Sequence, residues 1–352
     1  MPQIGPEAER YLAFFDSMQD VFEQAAAGPE KVNDRYLGIA GHLIRMRFAG
    51  SALPSSLTPA LDHHAVMPSA GVDLTVCLFD TAGRGLRLPS PPWSWDGIIA
   101  RGDVRSSEGN RIGAAFQLGA GILSLFDREH GRAIFWIDDA RRLPFHELAT
   151  PLRTILHWFM SGHEKQFIHG AAVGNKAGGV LIAGRGGSGK STVALACLLQ
   201  GMDYAGDDCV LIEHRPLPRV HGLYGTAMLE PRQVARFPHL RPVVGRSDHG
   251  GKKKLMMFLQ TLFPGQLSAG FPLRAIFLPR FSGRSRTVLK EVSSADVFAA
   301  MAPSTMAVLP GAGERDFRYI GSFIRQLPNF VLETGTDMAG IGRTVSRFLE
   351  AN

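Results

Sequence analysis

Gly184-Arg185-Gly186-Gly187-Ser188-Gly189-Lys190-Ser191 is the stretch on which the fold turns. It matches G-x-x-x-x-G-K-[ST], the pattern of a phosphate-binding loop. Glycines let the backbone wrap an anion so that successive N–H groups point inward. Lys190 then reaches the terminal phosphates, and the hydroxyl of Ser191 is offered to Mg²⁺. The flanks agree with the motif. Gly179-Val180-Leu181-Ile182-Ala183 reads as a short buried strand. The run from Thr192 to Gln200 reads as a helix stopped by Gly201, and its positive N-terminal end adds to the same anion site. Strand, glycine loop, helix is the order the motif requires. An α/β core is therefore expected, with Gly184, Gly186, Gly187, Ser188, Gly189, Lys190, Ser191 and Thr192 around the phosphates of ATP.

Seventeen positions after Lys190, in Gly206-Asp207-Asp208-Cys209-Val210-Leu211-Ile212, two carboxylates stand at the entrance of an apolar run. Phosphoryl transfer needs carboxylates for two jobs: one helps to hold Mg²⁺ and one accepts the proton of the attacking hydroxyl. Neighbours on a regular strand face opposite ways, so Asp207 and Asp208 share one site only where the backbone is irregular, which Gly206 permits. Glu213, at the end of the same run, is the competing acid. No transporter-type L-S-G-G-Q signature follows it, so it ranks behind the pair.

The rest of the chain sets bounds. Its 352 residues allow two domains. The charge is moderately basic, 38 Lys plus Arg against 32 Asp plus Glu, and spread along the chain. That suits phosphate-bearing ligands, and no nucleic-acid partner is expected. Three cysteines form no close pair, and no Cys/His spacing resembles a zinc site. Cys197 and Cys209 are expected to be buried thiols, which suits a cytoplasmic protein. There is no signal-like N-terminus and no apolar run of about 18 residues, so no membrane span is expected. His63-His64 beside Asp62 lacks a third metal partner and reads as a surface loop or helix.

Residues 1–145 read as a mostly β N-terminal domain that recognises a substrate or partner. It opens with an amphipathic helix over 7–27 carrying Tyr11, Phe14, Phe15, Met18, Val21 and Phe22. Strands are expected near 36–40, 42–48, 72–79, 112–117, 121–126 and 132–137. Residues 146–352 are assigned to the domain that carries the phosphate-binding loop. It starts with a helix over 151–160, with Thr150 as N-cap and Pro151 at its first position. A strand over 167–173 is followed by a turn at 175–178. Short strands and helices then alternate to the C-terminus, with helices near 294–301 and 337–350. Lys252-Lys253-Lys254 follows a Gly250-Gly251 pair that could hinge a loop over the phosphates. One of the three is expected to contact phosphate. Lys253 stands for them among the nucleotide-binding residues, and which one makes the contact stays open.

His169-Gly170, the loop Gly184 to Ser191, Leu199-Gln200-Gly201, Ala205-Gly206-Asp207-Asp208 and Val220-His221-Gly222-Leu223 occur in an order that resembles the HPr kinase-like family of P-loop serine kinases. The resemblance implies an α/β P-loop kinase core and roles for its residues. Lys190 and the loop backbone hold the β- and γ-phosphates, Ser191 and Asp208 support Mg²⁺, Asp207 is the general base, and His169 lines the site near the transferred phosphate. Thr192 stands where HPr kinases usually carry Glu, and His221 where they usually carry Arg. With the unusual first half, these departures point away from HPr as substrate. The glycine-rich loop, Thr192 and Ala171-Ala172 look closer to members that modify ribosomal peptides, lasso-precursor kinases among them. The implied partner is a peptide or protein with an acceptor serine, and because the family often assembles a homo-oligomer stays open. Two rivals stay open as well: a small-molecule kinase on the same core, and a non-catalytic ATP-binding switch.

Overall fold

The computed structural model describes residues 5–28, 32–99, 102–104, 111–238, 240, 245–249 and 252–351. The chain forms two compact units. The first comprises Met1–Pro59, His64–Glu164 and Leu309–Gly311; the second comprises Ala60–His63, Lys165–Val308 and Ala312–Asn352. The stretch 146–164, placed above with the kinase half, thus belongs to the first unit. The helix Arg153–Gly162 lies there, where Phe159 packs edge-on against Phe126 of the strand Ile122–Asp127.

The first unit is built on a sheet in the order Asn33–Ile39, His42–Ala49, Leu74–Asp80, Arg132–Ile137, Ile122–Asp127, Ile112–Gln117. Its three strands 42–49, 74–80 and 132–137 run parallel, and the outer pairs are antiparallel. The helix Pro6–Ala26 lays its aromatic stripe on this sheet. Tyr11, Phe14, Phe15, Met18, Val21 and Phe22 share one core with Phe79, Leu125, Ile134 and Trp136, the burial that a one-sided apolar helix predicts. One expectation fails at 150–152. Thr150 ends the short helix Phe145–Ala149, its N–H and hydroxyl both donating to the His146 carbonyl. Leu152, at φ 58°, then caps a second helix that begins at Arg153. Two helices separated by a turn replace the one expected from Pro151.

The second unit is a mixed α/β structure around a sheet of nine strands among the described residues. The strands Gly178–Ala183, Gly270–Phe281 and Asn329–Thr334 lie side by side and parallel. Apolar residues in the first of these alternate between two cores. Val180 and Ile182 pack with the helix Lys190–Leu198 and the C-terminal helix Met338–Ala351, while Leu181 and Ala183 pack with the helices Ser294–Met306 and Glu314–Ile324. A strand buried on both faces reads as a continuous apolar run rather than an alternating one, which is how 179–183 reads.

The strand expected over 167–173 is broken at His169. Lys165–Ile168 pairs with Val210–Glu213, whereas Gly170–Asn175 pairs with Gly178–Ala183 and with Asp203–Gly206. The His169 N–H leaves the ladder and donates to Thr305 Oγ1 at 3.1 Å. Lys252–Phe258, expected to follow a hinged loop, is a strand paired with Gly245–His249 and Thr226–Leu229. The Gly250-Gly251 pair lies outside the described residues. Among the described residues no helix is long and apolar enough to cross a membrane. Cys77, Cys197 and Cys209 are buried and not disulfide-bonded.

Candidate active site

The strand Gly178–Ala183 runs straight into the glycine loop, and the helix Lys190–Leu198 leaves it. Gly184, Gly187 and Gly189 hold φ of 140°, 80° and 100°, values that a residue with a Cβ adopts only at a cost. Gly189 caps the helix without a side chain, leaving the first-turn N–H groups that a helix start cannot satisfy internally. Lys190 is buried, and its ammonium donates to the carbonyls of Gly184 (3.0 Å) and Arg185 (3.2 Å). Burial pushes this ammonium below the ordinary lysine value, while the charges of Asp207 and Asp208 pull it up. The lysine therefore staples the loop from inside and faces two carboxylates.

Those carboxylates reach one site because the backbone between two strands is irregular, as required. Gly206 ends its strand at φ 154°, and Asp208 adopts φ 64°, a left-handed conformation that Asp tolerates better than most residues. Just after them the Cys209 N–H turns back to the Asp207 carbonyl at 2.7 Å. Asp207 is 2% exposed, and its carboxylate oxygens make no hydrogen bond of full geometry; the Ser191 hydroxyl and the Asp208 N–H are the groups that approach them. Burial holds its carboxyl above the usual carboxylate range. The Asp208 charge adds to the rise, and Ser191 and Lys190 pull the other way. Asp208 sits 3.6 Å from His169 Nε2. The other ring nitrogen of His169 lies 3.3 Å from the Ser304 carbonyl; a carbonyl only accepts, so Nδ1 carries the proton and Nε2 presents a lone pair. Burial pushes this imidazole below its ordinary value, against the Asp208 charge. Neutral histidine is then the form at pH 7.

His169, Lys190, Ser191, Thr192, Asp207 and Asp208 line a single cavity of about 110 Å³ with Gly186, Gly187 and Gly189. Four further residues close it: Met228, Glu230, Gln233 and Lys254. Of the lysine run, Lys254 is thus the residue on the cavity, and its charge bears on both Lys190 and His169. The Lys253 side chain lies outside what the structure describes. Gly184 and Ser188 do not line this cavity. Ser188 lines a neighbouring one, and Gly184 supports the loop, since a Cβ there would stand 2.9 Å from Ser188 Oγ. Glu213 is elsewhere: it meets His221 Nε2 at 2.8 Å across paired strands. The sequence offered no local signal for Met228, Glu230 or Gln233, because a strand end and a four-residue helix, Pro231–Val234, bring them in from a distant stretch.

The site can be tested for the magnesium ion that the motif implies. Among the described residues no group of three or more His, Cys, Asp or Glu is arranged to hold a metal. Mg²⁺ in phosphate-transfer sites takes only one or two protein carboxylates and completes its shell with phosphate oxygens and water. Ser191 and Asp208 on one cavity, beside the buried Asp207 carboxylate, fit that requirement.

No family model and no curated protein matches the chain. Among solved structures it is similar to the HPr(Ser) kinase/phosphatase from Coxiella burnetii, at 12% identity over 53% of this chain and 97% of that chain, with a TM-score of 0.29. A likeness at that level carries no argument about the site, which rests on the geometry given above.

Proposed function

We propose that the chain is an ATP-dependent kinase that transfers the γ-phosphoryl group to a serine hydroxyl of a peptide or protein, of the ribosomal-precursor class that the sequence resemblance implies. One observation carries the proposal: a buried carboxylate, Asp207, shares a cavity with the loop lysine and a second carboxylate. Burying an acid beside a second one costs stability, and groups with such perturbed acidity cluster at functional sites.

In this mechanism Asp207 accepts the proton of the serine hydroxyl as its oxygen attacks the γ-phosphorus and the bond to the β-phosphate oxygen breaks. A carboxyl held above the usual range is a stronger base than an exposed one, better matched to neutral pH. Lys190 gives up the Gly184 and Arg185 carbonyls and donates to phosphate oxygens instead. The first-turn N–H groups of Lys190–Leu198 face the same anion. Lys254 offsets charge on the transferred group. His169, neutral and fixed by Ser304, lines the site beside Asp208. Ser191 and Asp208 would hold Mg²⁺, which when bound supplies charge neutralisation to the phosphates.

The test is incubation with γ-labelled ATP, Mg²⁺, a serine-peptide library and a metabolite mixture. Label on serine peptides with wild type and none with Asp207→Asn supports the proposal. Label on metabolites alone would replace the acceptor class. ATP binding without transfer to anything would leave the switch.

A further inference from the structure

Arg280-Phe281-Ser282-Gly283-Arg284-Ser285-Arg286-Thr287-Val288-Leu289-Lys290 carries four cations and no acid. The fold makes most of this stretch a pinned loop. It leaves the strand Gly270–Phe281, crosses the end of Asn329–Thr334 and returns on the far side of that strand as Val288–Glu291. The Ser282 N–H and hydroxyl both donate to the Thr334 carbonyl at 3.0 Å. The Thr336 N–H donates to the Arg284 carbonyl at 2.9 Å, and the Gly335 N–H donates to Thr287 Oγ1 at 3.0 Å. Gly335 allows the close crossing, since a Cβ there would stand 2.3 Å from the Ser285 carbonyl oxygen. The loop backbone is thus fixed while its arginine side chains stay exposed.

The guanidiniums of Arg280, Arg284 and Arg286 make no hydrogen bond among the described residues. The neighbouring acids are engaged. Glu333 accepts from Lys290 at 2.8 Å, and the charges of Arg280 and Arg284 bear on it as well. Asp337, past the end of the same strand, is held by Arg343. Amid this positive charge Phe281 is 58% exposed, with the Arg236 guanidinium 5.7 Å from its ring centre, and Val288 is exposed too. Arginine forks set around an open aromatic ring match carboxylates interspersed with apolar side chains. A nucleic acid calls for a longer basic stripe, and the surplus charge of this chain is spread along it. The patch adjoins the glycine loop, because Phe281 and Thr334 share a cavity wall with Gly187 and Ser188. A peptide whose serine entered the acidic cavity would therefore carry its flanking residues over these arginines.

We infer that Arg280, Arg284 and Arg286, with Phe281 between them, dock an acidic segment of the peptide or protein acceptor. The inference rests on the serine-kinase reading, and two measurements on the full chain keep the two apart. The first is fluorescence anisotropy without nucleotide. Its probes are a labelled serine peptide rich in Glu and Leu, the same peptide with Gln for Glu, and a short single-stranded DNA. The Glu peptide binds about tenfold more tightly than the Gln peptide, and more tightly than the DNA. Arg284→Ala combined with Arg286→Ala changes two exposed side chains. It weakens the Glu peptide about tenfold and leaves the Gln peptide within about twofold. Equal affinity for the two peptides, or no loss in the double variant, would overturn the inference. Tighter binding of the DNA would overturn it in favour of a nucleic acid. The second measurement is transfer of γ-label to the two peptides, where the double variant raises KM for the Glu peptide about tenfold and keeps kcat. Transfer by wild type with one KM for both peptides would overturn the inference and leave the kinase. No transfer to any serine acceptor would overturn the kinase reading instead, and the anisotropy would still decide whether the patch holds an acidic chain.

Discussion

Asp207→Asn should make the protein more stable and nearly inactive, and the two effects share one cause. The native carboxyl is 2% exposed and raised by burial, so its ionisation opposes folding. Asparagine keeps a polar group there but removes the charge, so the gain is the ionisation cost alone, about 1.4 kcal/mol for each pH unit by which the carboxyl is raised. For a domain of this size each kcal/mol moves Tm by about 2–4 °C, so each such pH unit is worth about 3–6 °C at pH 7.5. The sign with pH follows from linkage. Because the folded-state pKa is raised, the native state binds more protons than the unfolded one between the ordinary carboxylate value, about 3.9, and the raised value. Wild-type stability therefore falls as pH rises through that window, and the advantage of the variant fades as pH is lowered toward about 4. Loss of a general base costs about 10²–10⁴-fold in kcat, with ATP affinity held within about threefold because the loop contacts remain. Thermal melts from pH 4 to 8 in EDTA, paired with single-turnover transfer assays, measure both. A variant that is less stable at pH 7.5, or that keeps wild-type turnover, would refute the reasoning.

Other residues yield separate outcomes. Lys190→Met removes charge-assisted hydrogen bonds of about 1.5–3 kcal/mol each, so ATP should bind at least tenfold more weakly by calorimetry; unchanged affinity would contradict the phosphate role. Lys254→Ala should lower kcat by about 10²-fold and leave ATP affinity nearly unchanged. It should also raise the His169 pKa, followed by NMR, because Lys254 now depresses it; a loss confined to ATP affinity would assign Lys254 to ground-state binding instead. Glu213→Gln should keep turnover within about threefold and shift stability by no more than about 1 kcal/mol, since Glu213 is occupied by His221 away from the cavity. A large loss of turnover would restore it as the catalytic acid.

Much of this was legible in the chain because the informative signals were local. The apolar run 179–183 and the glycine loop specify strand and turn without reference to anything distant, and both stand where the residues put them. The double aspartate was readable for the same reason: Gly206 licenses the break that turns both carboxylates one way. What was not legible depends on long-range partners. His169 interrupts a strand only because Thr305, far along the chain, takes its N–H. Lys252–Lys254 read as part of a loop hinged over the phosphates because lysine favours no strand, yet pairing with 247–249 makes it one. Glu230 and Gln233 carry no motif of their own, and tertiary folding alone brings them to the cavity. The helix start at Pro151 was misread because Pro and Thr mark a helix end as readily as a beginning, and here the short helix Phe145–Ala149 claimed Thr150.

The central claim is that the loop holds nucleotide phosphates beside the aspartate pair. A crystal structure with Mg²⁺ and a non-hydrolysable ATP analogue measures it directly. The account predicts Lys190 Nζ released from the Gly184 and Arg185 carbonyls onto phosphate oxygens, with Asp208 and Ser191 at the metal and Asp207 facing the γ-phosphate. Nucleotide bound elsewhere, with Lys190 still fastened to its own loop, would contradict it.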